Sequence, residues 1–126
     1  MSKKWFFLIP IVVAFWECET EPYSGGKRIY KLYCENCHMV DGTGLPPLYL
    51  PIQESSYLSD RINELPCLIR NGRKSLLMEN VEMPSHNLSE IDLTNLINYM
   101  NHKWGNVDAL NLNELKEAYR NCESIN

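Results

Sequence analysis

The sequence predicts an all-α fold. Apolar residues recur at helical spacing in separate segments, no segment alternates apolar and polar residues like a half-buried strand, and helix start and stop residues flank the periodic stretches. A chain of 126 residues suits one domain better than two. With 44% hydrophobic and 22% charged residues it has the balance of a globular protein and not of a disordered one. The net charge of −4 and the lack of a basic run argue against nucleic-acid binding and against a polybasic membrane patch.

The first predicted helix covers 24–38, with Ser24 as N-cap and Ile29, Tyr30 and Tyr33 on one face. A middle helix is expected at 60–71, capped by Ser59 or Asp60, divided or kinked by Pro66 and stopped at Gly72. A third runs over 89–103: Ser89 and Asp92 form a capping-box-like pair, and Ile91, Leu93, Leu96, Ile97 and Met100 repeat with helical period. Asn111 to Cys122 reads as a fourth helix through Leu112, Leu115, Ala118 and Tyr119.

The chain opens with an address. Ser2-Lys3-Lys4 precedes 12 uninterrupted apolar residues, Trp5 to Trp16. Spanning a bilayer takes about 20 residues, so this layout reads as a secretory signal over 1–17. Cys18 follows directly, as in a lipobox, and is the expected lipidation site. Trp16 and Glu17 stand where a lipobox usually has small residues, which keeps a plain signal peptide with an incidental Cys18 as the alternative. Residues 18–24 would form a polar tether.

Cys34-Glu35-Asn36-Cys37-His38 is a C-x-x-C-H run, the pattern of covalent haem c attachment, one haem per chain. Two thiols add across the haem vinyl groups, and the adjacent His is thereby brought beneath the iron. A zinc site would need two further ligands at matched spacing, but His86 and His102 stand alone. The helical flanks argue against a thioredoxin-like redox pair or a plain Cys34–Cys37 disulfide.

Gly26-x-x-x-Tyr30-x-x-x-Cys34 upstream, Asp41-Gly42-Thr43-Gly44 downstream, Met83-Pro84 before the third helix and Leu96-x-x-Tyr99 within it extend the pattern. Over residues 25–105 the chain resembles the class I, monohaem cytochrome c family. The resemblance implies three core helices wrapped around the haem, with 106–126 as an extra helical extension packed on them. It implies His38 and Met83 as axial ligands, thioether sulfur raising the potential by stabilising ferrous iron. Met78 and His86 lie in the same loop and stay as alternatives to Met83. Met39 adjoins His38 and cannot reach the opposite face, while Met100 lies on the third helix. The family also uses a Pro carbonyl to accept the ligand His Nδ1–H; Pro51 and Pro47 are the candidates here.

The five cysteines divide by counting: Cys34 and Cys37 to haem, Cys18 to lipid, leaving Cys67 and Cys122 as an expected disulfide, with two separate buried thiols as the alternative. The function implied is non-enzymatic electron transfer between redox proteins of a bacterial respiratory chain. Docking would occur at the exposed haem edge, on the periplasmic side, with a membrane anchor at Cys18. A haem peroxidase or gas sensor with an open sixth site, and a subunit of a larger dehydrogenase or oxidase complex, are the competing readings.

Overall fold

The computed structural model describes residues 21–75 and 78–122. The expected signal segment and Cys18 lie outside the described residues. The order is α1 (Ser24–Tyr33), α2 (Glu35–His38), 3₁₀ turns at Ser56–Leu58 and Ile62–Glu64, α3 (Leu65–Asn71), β1 (Arg73–Lys74), β2 (Glu82–Met83), α4 (Glu90–Trp104) and α5 (Leu112–Asn121). Among the described residues no helix is long and apolar enough to cross a membrane.

The core is organised by the crossing of α1 and α4. Ile29 and Tyr30 pack against Leu93, Leu96, Ile97, Tyr99 and Met100. The crossing is close because position 26 has no side chain. A Cβ there would run into the Asn95 carbonyl and lie 2.7 Å from Tyr99 Cβ. Tyr30 then enters an aromatic cluster, with ring centroids 5.7 Å from Tyr99 and 5.3 Å from Trp104. Such pairs add about 0.5–1.5 kcal/mol beyond simple burial.

Several elements differ from expectation for local reasons. Tyr23 caps α1 in a left-handed conformation, φ 60°, and Ser24 is the first helical residue. The expected 24–38 helix divides at Cys34, which ends α1 and starts α2. Neither Ser59 nor Asp60 caps the middle helix. The Ser59 hydroxyl donates to the Ser56 carbonyl and to the Asp60 carboxylate, and α3 begins only at Leu65. Pro66 divides the expected segment, with a 3₁₀ turn at Ile62–Glu64 before it, and is accommodated in the first turn of α3, where an N-terminal N–H has no intrahelical acceptor to lose. The antiparallel pair β1–β2, with Arg73 opposite Met83 and Lys74 opposite Glu82, is too short for alternation to show in sequence. Ser89 does cap α4, accepting from the Asp92 N–H.

Buried Asn98 and Asn101, one turn apart on α4, capture the connection to α5. Asn98 donates to the Leu110 carbonyl and accepts from its N–H, both at 2.8 Å. Asn101 donates to the Val107 carbonyl at 2.7 Å. Burial of these amides is tolerated because each is paired. Asn111 and Glu114 close a full capping box on α5. Leu115 and Ala118 are buried, and the Arg70 guanidinium of α3 lies 4.8 Å from the Tyr119 ring centre. Cys67 of α3 and Cys122, at the C-cap of α5, are disulfide-bonded, with Cα atoms 5.3 Å apart.

Closing a loop between residues 55 apart is worth about 4 kcal/mol in the chain-entropy treatment. Cys67→Ser/Cys122→Ser should therefore lower the denaturation midpoint with the helical far-UV signal preserved. An unchanged midpoint would mean that packing alone holds α5.

Candidate functional site

The site is built on the α1–α2 junction. Cys34 and Cys37 flank one helical turn, and both are free thiols. Cys34 is buried beneath α1, and burial pushes its thiol up to about 12; Cys37 is half-buried. His38 closes α2, its N–H bonded to the Cys34 carbonyl at 2.9 Å. Burial pulls the His38 imidazole below its ordinary value, so the ring is neutral at pH 7. Its Nδ1 lies 3.1 Å from the Leu50 carbonyl. A carbonyl only accepts, so Nδ1 carries the proton and Nε2 presents its lone pair, the form that ligates a metal.

That acceptor corrects the expectation for the loop. The carbonyl belongs to Leu50, not to Pro51 or Pro47. The physical role of Pro51 is indirect: its ring disfavours helical geometry for the residue before it, which sets the direction of the Leu50 carbonyl. Pro47 follows Pro46 through a cis peptide and is exposed.

The loop that supplies Leu50 is tied down at several points. The Met39 carbonyl accepts from the Tyr30 hydroxyl at 2.7 Å and from the Gly42 N–H at 3.2 Å. The His38 carbonyl accepts from the Gly44 N–H at 3.0 Å, and the Gly42 carbonyl from the Ile52 N–H at 2.8 Å. Gly42, at φ 75°, lies against the Trp104 indole, where a Cβ would sit 2.9 Å from the ring. Asp41 accepts from the Thr43 hydroxyl and N–H, which hold its carboxyl below the usual range.

Met83 lies on β2, partly buried against the core cluster, in the segment that leads into α4. Gly72, at φ 70°, packs on this segment: a Cβ there would meet the Met83 carbonyl and lie 2.8 Å from Ser85 N. The His86 N–H donates to the Ile69 carbonyl at 3.0 Å, and its ring packs edge-on against Tyr33, with centroids 5.4 Å apart. Met78, the other nearby thioether, is partly buried and bonds through its N–H to the Ser75 hydroxyl. In the sequence Gly72 reads only as a helix stop, and neither the Tyr30 hydroxyl, the Tyr33–His86 contact nor the Asn98–Asn101 pair is apparent. Two amides one turn apart inside an apolar helical repeat were the available signal for that pair.

The donor set fits a covalently held haem. Two free thiols on one turn, a neutral imidazole oriented through Nδ1 and a distant thioether are the groups such attachment uses. Leu45, Leu48 and Leu50 of the loop keep large exposed apolar surface, suited to cover by a macrocycle. Among the described residues no group of three or more His, Cys, Asp or Glu is arranged for a metal ion alone. An all-α domain with this site defines a covalent haem protein. The chain belongs to the cytochrome c family, whose family model, described as Cytochrome c, matches residues 23–104. That family carries covalently attached haem c, typically one per domain, and transfers electrons. No curated protein matches the chain.

Burial should separate the two thiols in the haem-free chain. Iodoacetamide at pH 8 should modify Cys37 well before Cys34, and the lag at Cys34 should shrink as pH rises and its thiolate forms. Equal rates, read by peptide mass mapping, would contradict the buried position of Cys34.

Proposed function

We propose that this protein is a monohaem electron carrier with His38 and Met83 as axial ligands. One observation carries the reading: the Nδ1 hydrogen bond to Leu50 orients His38 beside two free thiols on the same turn, leaving Nε2 as the nitrogen that would ligate iron. Bound haem supplies a one-electron ferrous–ferric couple. The chain's residues do the rest. Cys34 and Cys37 would anchor the ring, the Leu50 carbonyl holds the imidazole and would strengthen it as a donor, and Met83 would supply the second ligand. A second protein ligand would leave no vacancy for a substrate, the arrangement of a carrier and not of a peroxidase or gas sensor. Partners are redox proteins that dock transiently beside the motif, where Leu32 and Val40 are exposed. A place in a bacterial respiratory chain is part of the same proposal.

We also place the protein outside the cytoplasm, anchored through an acylated Cys18. The basic start and apolar run of residues 2–16 support export. A buried disulfide between Cys67 and Cys122 is the chemistry of an oxidising compartment.

Expressed with a haem-ligation system, the protein should keep haem through denaturing electrophoresis, and Cys34→Ala/Cys37→Ala should lose it; haem that washes out of the wild type sinks the proposal. Met83→Ala should abolish the ferric sulfur-to-iron charge-transfer band, lower the potential and admit exogenous ligands while His38 stays bound. Survival of the band there, with its loss in Met78→Ala, would move the assignment to Met78. Wild-type protein should label with palmitate and partition with membranes, and Cys18→Ser should abolish labelling; a soluble, unlabelled wild type refutes the anchor.

A further inference from the structure

The segment from Met83 to Leu88 is held on two sides by different means. Toward α3 and β1 the ties are backbone ones. Met83 pairs with Arg73, the Gly72 Cα lies against the Met83–Ser85 backbone, and the His86 N–H donates to the Ile69 carbonyl. Leu88 N–H then bonds the His86 carbonyl at 3.0 Å, turning the chain into α4. Toward α1 the tie is made by side chains. The His86 ring meets the Tyr33 ring at 5.4 Å with the planes 61° apart. Tyr33 is the last residue of α1 and immediately precedes Cys34. The contact therefore joins the element that carries the thiols to the segment that carries Met83.

Neither partner is there to fill the core. Tyr33 is 50% exposed, and His86 is half-buried. An exposed aromatic pair contributes little to global stability by burial, yet its edge-to-face geometry opposes any motion that separates the two elements. With Met83 read as the axial ligand, a motion that separates its segment from α1 would loosen it, while the backbone ties to α3 and β1 hold the other side of the segment.

We propose that His86 is a positioning residue for Met83, acting through its ring contact with Tyr33 as a clasp between the Met83 segment and the end of α1. The inference rests on the reading of Met83 as axial ligand. It assigns His86 a role distinct from ligation: its ring serves Met83 by packing, so an aromatic ring without nitrogen should serve as well. Removal of either ring should leave Met83 bound at equilibrium but let its segment open more often.

The test is the rate at which imidazole replaces Met83 in the ferric holoprotein, read at saturating imidazole from the loss of the sulfur-to-iron band, where segment opening limits the rate. His86→Ala and Tyr33→Ala should each raise it several-fold, up to about tenfold, the scale of one aromatic pair. The double variant should add little to either, because both remove one contact. His86→Phe and Tyr33→Phe should restore the wild-type rate. Amide exchange at residue 86 should accelerate in the two Ala variants, and far-UV spectra and thermal midpoints should stay near wild type. Wild-type rates in both Ala variants overturn the inference, as does a His86→Phe rate equal to that of His86→Ala. Met83→Ala separates this from the underlying assignment. If it binds imidazole without the slow step while the Ala variants match wild type, Met83 is the ligand and the clasp is wrong. If Met83→Ala binds no faster than wild type, the ligand assignment itself has failed.

Discussion

The missing side chain at Gly26 is the constraint from which the site follows. It lets α1 lie on the Asn95–Tyr99 turn of α4 at a distance no other residue permits. One turn further on, that approach seats Tyr30 between Tyr99 and Trp104, and the Tyr30 hydroxyl reaches the Met39 carbonyl just beyond the motif. Trp104 supports the same turn from the other side by packing on Gly42. The turn fixes the start of the loop, the loop ends at Leu50, and the Leu50 carbonyl fixes His38. Helix packing and imidazole orientation are thus two ends of one chain of contacts. A side chain at position 26 would disturb the site through these contacts without touching it.

The C-terminal extension is attached by a different kind of physics. Two buried amides on α4 mimic backbone partners for residues 107–110, and the disulfide then secures the far end of α5 to α3. The amides decide direction, since each pairs with a specific carbonyl or N–H. The disulfide stabilises mainly by restricting the unfolded chain. By comparison the exposed ion pairs count for little. Arg61–Glu64 and the Glu21 pairs with Lys27 and Lys103 lie in solvent, where such contacts are worth at most about 1 kcal/mol each. For Glu21, hydrogen bonds from those two lysines hold the carboxylate ionised down to about pH 2, so this tie at the head of α1 is lost only in strong acid.

What could be read from the sequence was whatever a short window determines. The α4 and α5 helices are legible because cap and periodicity coincide, at Ser89 and at Asn111. The motif is legible because its chemistry demands contiguous residues. The start of α3 was misplaced because Ser59 and Asp60 look like caps but satisfy each other and Ser56, while Pro66 has the opposite meaning in a first turn from the one it has mid-helix. The His38 acceptor was misplaced by one residue because a proline constrains the carbonyl before it as well as its own, and the residue pattern does not say which one points inward. Tyr33 and His86 are 53 positions apart, and no local pattern connects them.

His38 and Met83 are consequently held in unequal ways. On the His38 side, imidazole and thiols lie within one short stretch, and the Leu50 carbonyl that orients the ring belongs to a loop whose first turn is held by Tyr30 and Trp104 of the α1–α4 crossing. On the Met83 side the residue comes from a two-residue strand whose position is set by Gly72, Ile69 and Arg73 together with the ring of His86. Each of those ties is small, and the segment carries only a few of them. Local stability follows the number of such ties, so the Met83 side is the one expected to open first under stress, while His38 stays seated as long as the α1–α4 crossing survives.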